Sequence, residues 1–79
     1  MGLLISKEAM PLYTVISKEL FKAVRANAGI RKGRYDLRIS SSDRTVALNI
    51  KDRYYAQQFG TLEQARNKFR ELKQRIRND

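Results

Sequence analysis

Apolar residues recur along this chain with two different periods. From Pro11 to Ala28 the stretch PLYTVISKELFKAVRANA places Tyr13, Ile16, Leu20 and Val24 at steps of three, four and four, with Leu12, Phe21 and Ala28 widening the stripe. That spacing predicts an amphipathic helix over residues 10–28. Pro11 suits a first helical turn, and Gly29 stands where a helix commonly ends. From Gly33 the period falls to two. Tyr35, Leu37 and Ile39 alternate with Arg34, Asp36 and Arg38, and Val46, Leu48 and Ile50 alternate with Thr45, Ala47, Asn49 and Lys51. The polar cluster SSSDR between the runs reads as a turn, so the two form an antiparallel hairpin. Asp52 and Arg53 read as a second tight connection, and YYAQQF supplies a third candidate strand. Antiparallel strands thus occupy 33–59.

The period returns to 3.6 at Leu62, Ala65, Phe69, Leu72 and Ile76, predicting a helix over 61–77. Thr61 and Gln64 have the spacing of a capping box, and Glu71 and Arg75 that of a favourable i,i+4 pair. The expected fold is therefore α+β: one domain over 1–79 in the order α-β-β-(β)-α, a two- or three-stranded antiparallel sheet with both helices packed on one face. Residues 1–9 are expected to be a flexible tip or a short strand. Gln57 is the odd residue in this scheme. If Tyr55 and Phe59 point inward, so does its amide, which then needs a partner.

Composition narrows the chemistry. The chain of 79 residues has neither cysteine nor histidine. Disulfides, thiolate metal sites, imidazole ligands and the usual neutral-pH acid–base group are thereby excluded. Its carboxylates form no sequence-readable acid/base pair. GIRKG lacks the following helix that a phosphate loop or a KH-type loop needs. A histidine-free ribonuclease has no residues here that mark its site. The expectation is a protein that is not an enzyme and carries no cofactor or metal.

Charge points to a partner. Seventeen Lys and Arg, ten of them arginine, oppose eight Asp and Glu, for a net charge of +9. Such an excess favours a polyanion, nucleic acid first, and arginine suits both phosphates and guanine edges. The wet face of the sheet would then be the interface. Its candidate residues are Arg34, Arg38, Asn49, Lys51, Arg53 and Tyr54, joined by the nearby Lys22, Arg25, Arg31 and Lys32. DNA ranks ahead of RNA. A second reading is a protein-interaction or adaptor module, or a homodimer, docking through an apolar helix stripe. A membrane role is not expected. No segment is long enough to span a bilayer, the signal-peptide pattern is lacking, and the Met-Gly-x-x-x-Ser match at Gly2 and Ser6 is read as chance. The expected location is cytoplasmic.

The segment Phe59-Gly60-Thr61-Leu62-Glu63-Gln64-Ala65, following three short strands and leading into a long helix, resembles the Apetala-type (ethylene-response-factor) DNA-binding domain. It is also similar to the related amino-terminal domains of phage and transposon integrases. The resemblance covers residues 33–76. It implies a three-stranded sheet packed on one helix, with the sheet entering the major groove. Carried over, Phe59 and Ala65 would be core, Thr61 the helix cap, and Arg34, Arg38 and Lys51 groove-facing. It also implies an origin in a phage or mobile element.

Overall fold

The computed structural model of the protein describes residues 14–78. The expectations for residues 1–9, the Gly2 and Ser6 match and the helix start at Met10 lie outside the described residues. The rest is an α+β fold built on one antiparallel sheet. In chain order the elements are β1 (Thr14–Ile16), α1 (Lys18–Ala23), β2 (Ala28–Lys32), β3 (Tyr35–Ser40), β4 (Thr45–Ile50), β5 (Arg53–Gln58) and α2 (Leu62–Asn78). The strands lie side by side in the order β1-β5-β4-β3-β2. The sheet therefore has five strands, not two or three.

The expected helix over 10–28 is largely replaced. Thr14, Val15 and Ile16 are three consecutive β-branched residues, stiff at χ1, and they pair with Ala56, Tyr55 and Tyr54 of β5. Ser17 then caps a helix of six residues, its hydroxyl accepting the Leu20 N–H at 3.1 Å. Val24 is already extended (φ −65°, ψ 123°), so the helix stops at Ala23, less than two turns after its cap. The apolar stripe was a composite. Ile16 belongs to a strand, Leu20 is exposed, and only Phe21 of α1 is buried.

Gly29 is likewise not a helix end. It sits in β2 opposite Arg38. A Cβ there would stand 2.7 Å from the carbonyl oxygen of Leu37 on the neighbouring strand. Gly29→Ala is therefore expected to force β2 away from β3. It should cost roughly 1–3 kcal/mol, read as a lower urea midpoint at unchanged m-value.

The sheet is stitched by tight turns. Gly33 (φ +58°) and Arg34 form the two-residue loop between β2 and β3. Lys51 (φ +57°) and Asp52 form the loop between β4 and β5. The expected connection at Asp52 and Arg53 is thus one residue earlier, and β5 is regular. The longer Ser41–Arg44 turn is fixed to the start of α2. Phe59 N–H donates to the Arg44 carbonyl at 2.8 Å, and Arg44 Nε donates back to the Phe59 carbonyl at 3.0 Å.

The core fills one face of the sheet. Leu37, Ile39, Val46 and Leu48 pack against Ala65, Phe69, Leu72 and Ile76 of α2, with Ile30, Tyr35, Ile50 and Phe59 half-buried around them. Phe59 is half-buried against this core and Ala65 is fully buried in it. The capping box forms in both directions: Gln64 N–H donates to Thr61 Oγ1 at 3.1 Å, and Thr61 N–H to Gln64 Oε1 at 3.2 Å. Glu71 and Arg75 pair at 3.7 Å. Gln57 does face α2, as the alternation requires, and its buried Oε1 has no hydrogen-bond partner among the described residues.

The second helix–sheet contact differs from expectation. α1 does not join α2 on the same face. It packs on the opposite face, against β4 and β5. Both helices are too amphipathic to stand free, and the face under α2 is already filled.

Candidate nucleic-acid interface

Strand register fixes which side chains share the face opposite α2. Arg31, Asp36, Asn49, Tyr54 and Ile16 form one row across all five strands. Gly29, Arg38, Ala47, Ala56 and Thr14 form the next, and Ser40, Thr45 and Gln58 a third. The second row is nearly free of bulk, and that leaves room for α1. Phe21 packs against Arg38 of this row and is 2% exposed, and Ala47 in the same row is fully buried. The Phe21 ring lies 5.2 Å from the Tyr54 ring, and the Arg38 guanidinium stands 4.4 Å above it.

Asp36 organises the rest of the first row. Its Oδ2 accepts from Arg31 at 3.4 Å and from Arg38 at 3.3 Å. Arg38 is thereby held between a carboxylate and an aromatic face, with its side chain 27% exposed. Arg31 is 76% exposed and so gains little from its pair. Asn49 stands between Asp36 and Tyr54, and its buried Oδ1 accepts no hydrogen bond among the described residues. A buried, unanswered amide oxygen costs free energy, so this polar row is not optimised for stability alone.

The other expected interface residues divide into three groups. Arg34 and Lys51 do not stand on strand faces; each lies in a two-residue loop at the end of the sheet beyond the first row. Arg53 begins β5 at the same end and is exposed. Lys22 and Arg25 are exposed on α1 and just after it. Lys32 departs from expectation altogether. It points to the α2 side, where Nζ donates to the carbonyls of Ile76 at 3.2 Å and Arg77 at 2.8 Å. An ammonium at a helix C-terminus satisfies orphan carbonyls and opposes the helix dipole, so this lysine closes α2 and is spent there.

No protein-family model, curated protein or solved structure matches this chain.

Among the described residues the face expected to be open is partly covered: α1 lies over the second and third rows, Asp36, Asn49 and Tyr54 of the first row are half-buried, and Arg31 with the loop residues Arg34 and Lys51 is exposed. At that end the cations form two groups: Arg31 and Arg38 flank Asp36 in the rows that hold Asn49 and Tyr54, and Arg34, Lys51 and Arg53 line a cavity with Asp52, Ile50 and Tyr55, the last two on the α2 side of the sheet. Such groups can pair with phosphates, offer an amide edge and stack an aromatic ring. The cover was missed because Phe21 looked like one more member of a long helical stripe. A signal was present: Ala47 and Ala56 are poor strand formers on a face otherwise expected to carry large polar groups.

A second basic surface runs along the outside of α2. Arg66, Arg70 and Arg77 are exposed there, while Lys68 pairs with Glu71 at 3.5 Å and Lys73 rests 5.3 Å from the Phe69 ring. No helix among the described residues is long and apolar enough to cross a membrane.

Proposed function

We propose that this protein is a small basic nucleic-acid-binding domain without enzymatic activity. It binds DNA in preference to RNA, through the open end of the sheet. The observation that supports this is the excess of cations at this end of the sheet: Arg34, Lys51 and Arg53 line one cavity with Asp52, and Arg31 and Arg38 flank Asp36 beside Asn49 and Tyr54. Arg31, Arg34, Lys51 and Arg53 contact phosphates. Arg38, oriented by Asp36 and Phe21, presents the remaining edge of its fork to a base. Because α1 covers the rest of the face, the contact is made end-on, through the loops and the first row. A sheet laid flat along the groove is not required. The protein acts in the cytoplasm, and the integrase-like junction at Phe59–Ala65 is the reason to place its source in a phage or mobile element.

The test is a fluorescence-anisotropy titration of labelled duplex DNA and RNA across a range of salt. Log K is expected to fall linearly with log salt, with a slope of about −4 if four cations displace counterions. Absence of any shift at micromolar protein and low salt would remove the reading.

One observation favours a second reading, a protein-interaction module. Val15 on the edge strand β1 is 72% exposed and Leu20 on α1 is 55% exposed. An extended segment could add to this edge with Val15 as an anchor. A sedimentation mass that rises with concentration, and a return to monomer in Val15→Lys, are the results it requires.

A further inference from the structure

The two loops at the open end of the sheet are equivalent in form and differ at one telling place. Each has two residues, and in each the first residue has a positive φ: Gly33 at +58° and Lys51 at +57°. Glycine takes this conformation freely, whereas an L residue adopts it at a cost. Folding stability would be served by glycine at both positions. The second loop holds a lysine instead, and strain retained at one point directs attention to what that side chain reaches.

It reaches a cavity of about 430 Å³ lined by Arg34, Ile50, Lys51, Asp52, Arg53 and Tyr55. The Lys51 N–H donates to the Arg34 carbonyl at 3.1 Å, so the two loops form one joined rim. Arg34, Lys51 and Arg53 are all exposed. Three cations and one carboxylate leave this rim with an excess of two positive charges. Ile50 and Tyr55, both half-buried, supply an apolar wall.

We propose that this cavity binds a phosphomonoester, as the phosphorylated end of a nucleic-acid strand or as a mononucleotide. Charge selects the monoester. It carries about −1.5 to −2 near neutral pH, against a single charge on each internal phosphodiester. A guanidinium fork and a lysine point charge can share its oxygens, and the cavity falls within the roughly 300–1,000 Å³ of small-ligand sites. The nucleotide's sugar or base then lies against Tyr55. The strand-end form of the proposal rests on the nucleic-acid reading above; the mononucleotide form does not.

The experiment has two arms on the full chain. In the first, labelled oligonucleotides ending in a phosphate or a hydroxyl, at either end, are titrated at about 0.1 M salt. The phosphorylated end is expected to bind about tenfold tighter, as a charge-assisted contact would give. Lys51→Gly and Arg34→Ala should each erase that ratio. Lys51→Gly is the decisive variant, because it removes the ammonium while relaxing the loop, and a thermal midpoint equal to or above that of the parent certifies its fold. Equal binding of both ends would overturn the strand-end form.

In the second arm, adenosine monophosphate and adenosine are titrated against the amide spectrum. Saturable shifts at Lys51 and Tyr55 with the monophosphate only, lost in Lys51→Gly, uphold the cavity. If no oligonucleotide binds while the monophosphate does, the nucleic-acid reading fails and the cavity stands. If strands bind with no preference and the monophosphate gives no shifts, the reading stands and the cavity falls.

Discussion

Leu72→Ala is expected to lower the thermal midpoint by roughly 12–24 °C. Leu72 is 1% exposed at the centre of the α2 stripe, between Phe69 and Ile76 and against the inner face of β3 and β4. Truncating a buried leucine removes its transfer free energy and leaves a cavity, together about 3 kcal/mol within a range of about 2–5. A domain of this size has only about 3–10 kcal/mol of total stability, and each kcal/mol moves the midpoint by about 4–8 °C. The neighbours cannot close the gap easily. Leu37 and Leu48 are held in a sheet ladder, and Ile76 lies next to the helix end that Lys32 ties down. Val15→Ala is the control: an exposed apolar residue on an edge strand should change stability by no more than about 0.5 kcal/mol. A thermal melt of both variants checks the pair. A drop under about 4 °C for Leu72→Ala would mean that α2 is not packed as described.

Removing Arg31, Arg34 and Lys51 together, each as alanine, is expected to weaken DNA binding on the order of 10²–10³-fold at 0.1 M salt. Each lost phosphate contact lowers the magnitude of the salt slope by about 0.9. At 0.1 M that corresponds to just under tenfold in affinity per contact, so three give this range. The fold should survive, since Arg34 and Lys51 are loop residues and the Arg31–Asp36 pair is largely solvated. The comparison variant removes Arg66, Arg70 and Arg77 from the outer side of α2, an equal loss of charge on the other side of the molecule. If both triples weaken binding equally, net charge alone is responsible and the sheet end is no interface. A larger loss in the helix triple would move the interface to α2.

The candidate site was partly legible in the chain. Period-two alternation put Arg38, Asn49 and Tyr54 on one face, and the register confirms that they share it. Alternation could not say that Lys32 lies on the other side of the sheet from Arg31 and serves as a helix cap. That follows from β2 being a strand and from the length of α2, which brings the carbonyls of Ile76 and Arg77 within reach. It also could not say that Arg34 and Lys51 sit in loops. Both residues continue the alternating pattern, and the turn is set by backbone φ at Gly33 and Lys51, which side-chain polarity does not report.

The sequence by itself determined the α+β class, the β3–β4 hairpin, the capped helix α2 and the core made by Leu37, Leu48, Phe69, Leu72 and Ile76. Each of these depends on a local signal: a period sustained over several residues, or a capping pair at fixed spacing. Only the tertiary structure decided what became of residues 14–32. Their apolar spacing fits a helix, yet Thr14–Ile16 and Ala28–Lys32 each pair antiparallel with a neighbouring strand of the sheet, and the helix is cut to six residues between them. The sheet edges that settle this are contributed by β5 and β3, distant in sequence, so local spacing cannot register them. The same long-range pairing brought Phe21 against Arg38 and Tyr54, and so covered part of the face opposite α2.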